Sequence, residues 1–141
     1  MQNTLINHGY LKTDHMPELK IKQLQYEINS WKRLLDFIMD ENIHLKNRLS
    51  EILKDRFDKY LLEEVDGFQS RFIRADNLVA LLRNEITEVD KLLRHEMFKE
   101  GNLLKNAEIK VKRLHKNINN AEKQFNRIKS DFHRFLSHNI L

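Results

Sequence analysis

The side chains best able to do chemistry here are seven histidines, His8, His15, His44, His95, His115, His133 and His138, among 21 acidic residues. A helical diiron or dimanganese site needs a Glu-x-x-His pair from each of two helices and an inward carboxylate from each of two others. The chain has that spacing once, in Glu41-Asn-Ile-His44. Heptad phase puts Glu41 at g and His44 at c, so His44 is expected in solvent. His133 and His138 are five apart, which is not a helix-face spacing. The histidines therefore read as solvated surface residues, and no metal or other cofactor is expected. With no cysteine, thiolate chemistry, disulfides and cysteine zinc sites are all ruled out. Three glycines and one proline leave no phosphate-cradling loop or nucleophile elbow. The expected class is non-enzymatic, with no small-molecule substrate.

What could position functional groups is a set of three apolar ladders with 3-4 spacing. The first runs Ile21, Leu24, Ile28, Trp31, Leu35, Ile38, Asn42, Leu45, Leu49, Ile52. The second runs Leu61, Val65, Phe68, Phe72, Ala75, Val79, Leu82, Ile86, Val89, Leu93. The third runs Leu104, Ala107, Val111, Leu114, Ile118, Ala121, Phe125, Ile128, Phe132, Phe135. Such spacing argues for helices that bury one seam against partner helices. Asn42, the one polar rung, is of the kind that fixes register at some cost in stability. The fold class predicted is all-α, an elongated antiparallel three-helix bundle. The pattern is similar to that of the spectrin-repeat type of three-helix coiled coil, and in pattern only.

The expected organisation is a flexible lead-in over residues 1–16 and a single domain over 17–141, with helices at about 17–54, 58–100 and 102–138. Pro17 suits a first helical turn, with Asp14 before it as a cap. Gly101 suits a helix stop. Between the first two ladders the heptad phase shifts by two residues. A turn near Lys54–Asp58 accounts for it. So does one continuous helix with a stutter, in which Leu49, Leu53, Phe57, Leu61 and Val65 bridge the change at four-residue steps. The turn is preferred because it gives three helices of similar length. No apolar run approaches membrane-spanning length and residues 1–16 lack the form of a secretory leader, so the expected location is cytoplasmic, without membrane contact.

Charge offers one functional hint. Residues 101–141 hold nine basic and three acidic side chains, whereas residues 55–100 hold eight and eleven. Complementarity between neighbouring helices would place charges at e and g, beside the seam. In the third helix Glu108, Glu122, Asp131, Lys110 and Lys129 sit there. Lys105, Lys112, Arg113, Lys116, Lys123, Arg127 and Arg134 fall instead at b, c or f. They form an acid-free outer face about 45 Å long at 1.5 Å per residue. A solvated face, an acidic protein partner and nucleic-acid phosphates all fit such a stripe. The nucleic-acid alternative has no aromatic residue interleaved with the cations. An apolar set, Leu34 and Phe37 on the first helix and Leu78 and Leu81 on the second, is either a widened core or a patch for self-association into a homo-oligomer. The functional expectation is a non-enzymatic structural or protein-interaction module that self-associates as a homo-oligomer, with a nucleic-acid-associated protein using the outer face of the third helix as the alternative.

Overall fold

In the computed structural model the described residues form three helices, α1 (Gln2–Asp55), α2 (Lys59–Phe98) and α3 (Leu103–Asn139). The backbone is described for residues 2–55, 59–98 and 103–139, and side-chain surroundings for 18–54, 59–95 and 105–139. Asn42 of α1 reaches Phe72 of α2, and Asp36 reaches Arg83, so these two helices run antiparallel. Arg71 of α2 meets Asp131 of α3, and Glu41 of α1 meets Lys129 of α3. Trp31 of α1 also stacks on His115 of α3, so with the Glu41–Lys129 pair α3 runs parallel to α1 and hence antiparallel to α2. All-α three-helix packing follows directly from the ladders, because each helix can bury only one stripe and three stripes close around a common axis.

Every ladder position in α1 is buried. So are those of α3 from Ala107 to Phe135. In α2 Leu61, Phe68 and Ala75 are half-buried and the rest are buried. One further residue, Leu136, joins the core from an e position. At the end nearest the α1–α2 connection, Phe68, Phe72, Phe132 and Phe135 form a single aromatic cluster. The ring centroids of Phe68 lie 5.2 Å from those of both Phe132 and Phe135, and Phe72 meets Phe132 edge-on at 5.3 Å. Edge-to-face pairs of this kind add about 0.5–1.5 kcal/mol to area burial.

The predicted break between the first two ladders holds in outline. α1 ends at Asp55, α2 begins at Lys59, and the two pack antiparallel, so the chain cannot continue as one straight helix. Residues 56–58 themselves lie outside the described residues, as does the Gly101 stop within 99–102. The start of α1 differs from the expected one. The helix begins at Gln2 and passes through Pro17. The Lys32–Asp90 pair and the Trp31–His115 stack set the register. By that register the described ends of α2 and α3 lie beside residues in the low twenties or high teens of α1. A 3-4 apolar ladder reports burial rather than helicity, so it does not mark where a helix begins. Among the described residues no helix is long and apolar enough to cross a membrane.

Candidate partner-binding face

The ion pairs between helices fix which flank of each helix meets which neighbour. On α1 the e-side residues Lys32 and Lys46 reach Asp90 and Asp76 of α2, at 3.6 and 2.5 Å. Asp36 pairs with Arg83 on the same side. The g-side Glu41 instead reaches Lys129 of α3, with Nζ 2.8 and 2.9 Å from its two carboxylate oxygens. On α2 the e side faces α1, and Arg71 at g turns to Asp131 of α3 at 2.8 Å. Internal charge complementarity is thus carried by residues beside the seams. Partly exposed pairs of this kind contribute about 0.2–1 kcal/mol each.

The seven outer cations are placed differently. Lys105, Lys112, Arg113, Lys116, Lys123, Arg127 and Arg134 are all exposed. Among the described residues none of their side chains forms an ion pair with the bundle. Their arrangement on α3 follows from the seam: burying a and d leaves b, c and f outermost. The three c-position arginines, Arg113, Arg127 and Arg134, lie on the flank turned towards α2. Lys105 and Lys112 lean towards α1, and Lys116 and Lys123 lie along the crest.

Around Asp131 the balance of charge is strongly positive. The hydrogen bond from Arg71 is the main cause that holds its carboxyl below the ordinary value of 3.8; partial desolvation opposes this, and the nearby charges of Arg71, Arg134 and Arg127 add to the lowering. One carboxylate therefore faces three guanidinium groups. Arg71 is further held with its guanidinium carbon 5.5 Å from the centroid of the Phe68 ring. Beside this cluster a groove of about 240 Å³ opens between α2 and α3. Ile38, Val79, Phe125 and Ile128 form its floor, the small side chains of Ala75 and Ala121 create its depth, and Arg71, Arg74 and Arg127 stand at its rim.

The apolar quartet is not brought together as one patch. Leu34 and Leu78 are half-buried against the core. Phe37 and Leu81 are 57% and 54% exposed. Both g positions face α3, so Leu34 and Phe37 lie on its α1 side while Leu78 and Leu81 lie on its α2 side. Leu78 borders the groove just described. A single widened core formed by Leu34 with Leu78 would need the g sides of α1 and α2 to meet, whereas here their e sides meet. The same geometry brings Arg71 and Arg74 beside α3. They stand at g and c of the second ladder, a signal that becomes readable only once that flank is known to face α3.

The histidine expectation can also be placed. His44 is exposed at c, and Glu41 is turned away from it to Lys129. His115 stacks on Trp31 at 5.6 Å between ring centroids, and His138 contacts the Arg134 carbonyl of its own helix. Among the described residues no three His, Asp or Glu side chains converge in a way that could hold a metal ion. No protein-family model matches the chain, and comparison with curated proteins and with solved structures found no match.

Proposed function

We propose that the protein is a non-enzymatic interaction module that presents the outer face of α3 to an acidic protein partner. The observation that carries this reading is the division of labour among charges. Lys129, Arg71, Lys32, Lys46 and Arg83 satisfy acids within the bundle, while seven further cations on α3 face outward with no ion pair among the described residues. A stripe of one sign raises the local concentration of oppositely charged partners and speeds their association. Binding to nucleic acid would use the same cations, but the phenylalanines of α3 are buried in the seam and offer no stacking platform. Self-association would rest on Phe37 or Leu81 singly, each a small exposed apolar spot on its own side of α3.

The test is a variant with Lys112, Arg113, Lys116, Lys123 and Arg127 all replaced by Gln. Gln is a good helix former and these positions are exposed, so circular dichroism should be unchanged. Capture of acidic cell proteins at low salt should be lost. A variant that unfolds, or a wild type that captures no acidic protein at low salt, would contradict the reading. If DNA or RNA binds instead, with a log–log salt slope that shrinks by about 0.7–0.9 per removed contact, the partner is nucleic acid.

A further inference from the structure

The stripe attracts acidic surfaces in general, but the α2/α3 groove has the shape to select one. Its floor is apolar and its depth comes from two alanines at ladder positions, Ala75 and Ala121, where larger side chains would have filled the seam. At about 240 Å³ it falls below the roughly 300–1,000 Å³ of small-molecule pockets, and it is half open to solvent. Space of that size and form suits one or two side chains presented by another helix. Leu78, half-buried, and Leu81, exposed, extend the apolar surface along α2.

The rim supplies the second requirement. Arg71 is committed to Asp131, but Arg74 and Arg127 are exposed and form no ion pair among the described residues. They stand on opposite walls, one from each helix. A neighbouring cavity of about 320 Å³ on the same seam makes a useful contrast. There Glu85 and Glu88 of α2 stand with Lys110 and Arg113 of α3, so its charges balance and favour no sign of ligand. The groove at Ala75 and Ala121 is lined by three arginines and no acid, with the one carboxylate of Asp131 beside it, so positive charge is in excess there. Guanidinium groups beside an apolar pocket form bidentate pairs with carboxylates, and their weak hydration suits interfaces.

We infer that this groove docks an amphipathic, acidic helix of a partner protein, with its apolar side chains over Ala75 and Ala121 and its carboxylates on Arg74 and Arg127. The inference rests on the acidic-partner reading above and makes it specific: the stripe gathers, and the groove selects. Anchors in a central apolar pocket, ringed by polar contacts that exclude water, usually dominate binding energy. Carboxylates alone should therefore bind weakly and with steep salt dependence, whereas an amphipathic helix should retain affinity as salt is raised.

The experiment uses the full chain and two fluorescein-labelled 18-residue peptides of the same Leu/Glu/Ala composition. One has its leucines on a single helical face and the other is scrambled. The amphipathic peptide should bind at least ten-fold more tightly by fluorescence anisotropy. Gln124→Trp, at an exposed groove position, should fill the opening without disturbing the core and remove that difference. Arg74→Glu combined with Arg127→Glu should weaken the amphipathic peptide ten-fold or more. Lys112→Glu with Lys116→Glu, off the groove, should weaken both peptides by a similar, smaller factor. Equal affinity for the two peptides, or full binding by Gln124→Trp, would overturn the groove while leaving the acidic-partner reading intact. Failure of both peptides to bind at low salt would overturn both. A wild-type dimer that Gln124→Trp converts to monomer would assign the groove to a second copy of the chain and overturn the partner-helix inference.

Discussion

Between α1 and α2, Lys32 meets Asp90, Asp36 meets Arg83 and Lys46 meets Asp76, and Asn42 sends its amide into the same seam. Between α2 and α3 the corresponding positions hold, among the described residues, one pair, Arg71 with Asp131, beside a four-phenylalanine cluster and an arginine-rimmed groove. Both seams bury Leu, Ile, Val and Phe. They differ in how charge is matched. The α1/α2 seam neutralises its flanks and fixes its register with a buried polar contact. The α2/α3 seam holds together mainly through aromatic packing and leaves guanidinium groups over. Two seams of one bundle can thus differ in charge matching with little change in core composition.

The comparison can be broken hardest at the aromatic cluster. Phe132 is fully buried and touches Phe68, Phe72 and Phe135. Phe132→Ala should cost about 3–5 kcal/mol in denaturant unfolding. An equal loss from truncating a residue of the α1/α2 ion pairs would contradict the claim that aromatic packing dominates the α2/α3 seam.

On the other seam, Asn42 is 1% exposed. Its amide nitrogen donates to the Phe72 carbonyl at 3.0 Å and to Asp76 Oδ1 at 2.6 Å. Its own Oδ1 is buried without a hydrogen-bond partner among the described residues. An unsatisfied buried acceptor costs about 1–3 kcal/mol. Asp76 keeps Lys46 as a partner if Asn42 is replaced. Asn42→Leu should therefore raise stability by roughly 1 kcal/mol while relaxing the register that the polar contact imposes. A clear loss of stability would mean that the amide contributes more than the orphaned oxygen costs. Light scattering on the variant reads any change in association.

Gly67 sits at c of α2, on the flank turned towards α3, and a methyl group added there meets nothing within 4 Å. Gly67→Ala should stabilise by about 0.5–1 kcal/mol through helix propensity alone. It should leave peptide binding at the groove unchanged, which separates the stability of α2 from recognition by it.

The smallest effect is expected at the Arg71–Asp131 pair between α2 and α3. Asp131 is more acidic in the folded chain than in the unfolded one, chiefly because Arg71 donates to it. A depressed folded value means that the stabilisation is complete above the ordinary carboxylate value and fades as pH falls through the lowered one. The stability gap between wild type and Asp131→Asn should thus be constant near neutral pH and close below about pH 4. A gap that widens on acidification would reverse the sign.

Much of this was legible in sequence because burial in a helix bundle repeats with the heptad. The ladder from Ile21 to Phe135 marks the core, and Asn42 was readable as its one polar rung. Outward placement of the seven α3 cations followed from the same phase. The hand of the bundle was not legible, because an apolar stripe is symmetric about its own seam and does not say whether e or g meets the next helix. The heptad phase alone therefore neither separates Leu34 from Leu78 nor connects Arg71 and Arg74 with Arg127. Leu136 escaped because it packs from an e position. The extension of α1 to Gln2 escaped because the 3-4 apolar ladder starts only at Ile21.

The central claim is that cations on the outer face of α3 are available to a partner while those between α1 and α2 are occupied. Amide chemical-shift mapping during titration with a short poly-glutamate peptide at low salt tests it directly. The account predicts progressive shifts confined to α3 between Lys105 and Arg134 and to Arg71 and Arg74 of α2, reversed by added salt. Shifts centred on Lys32, Lys46 and Arg83, or none at all, would contradict it.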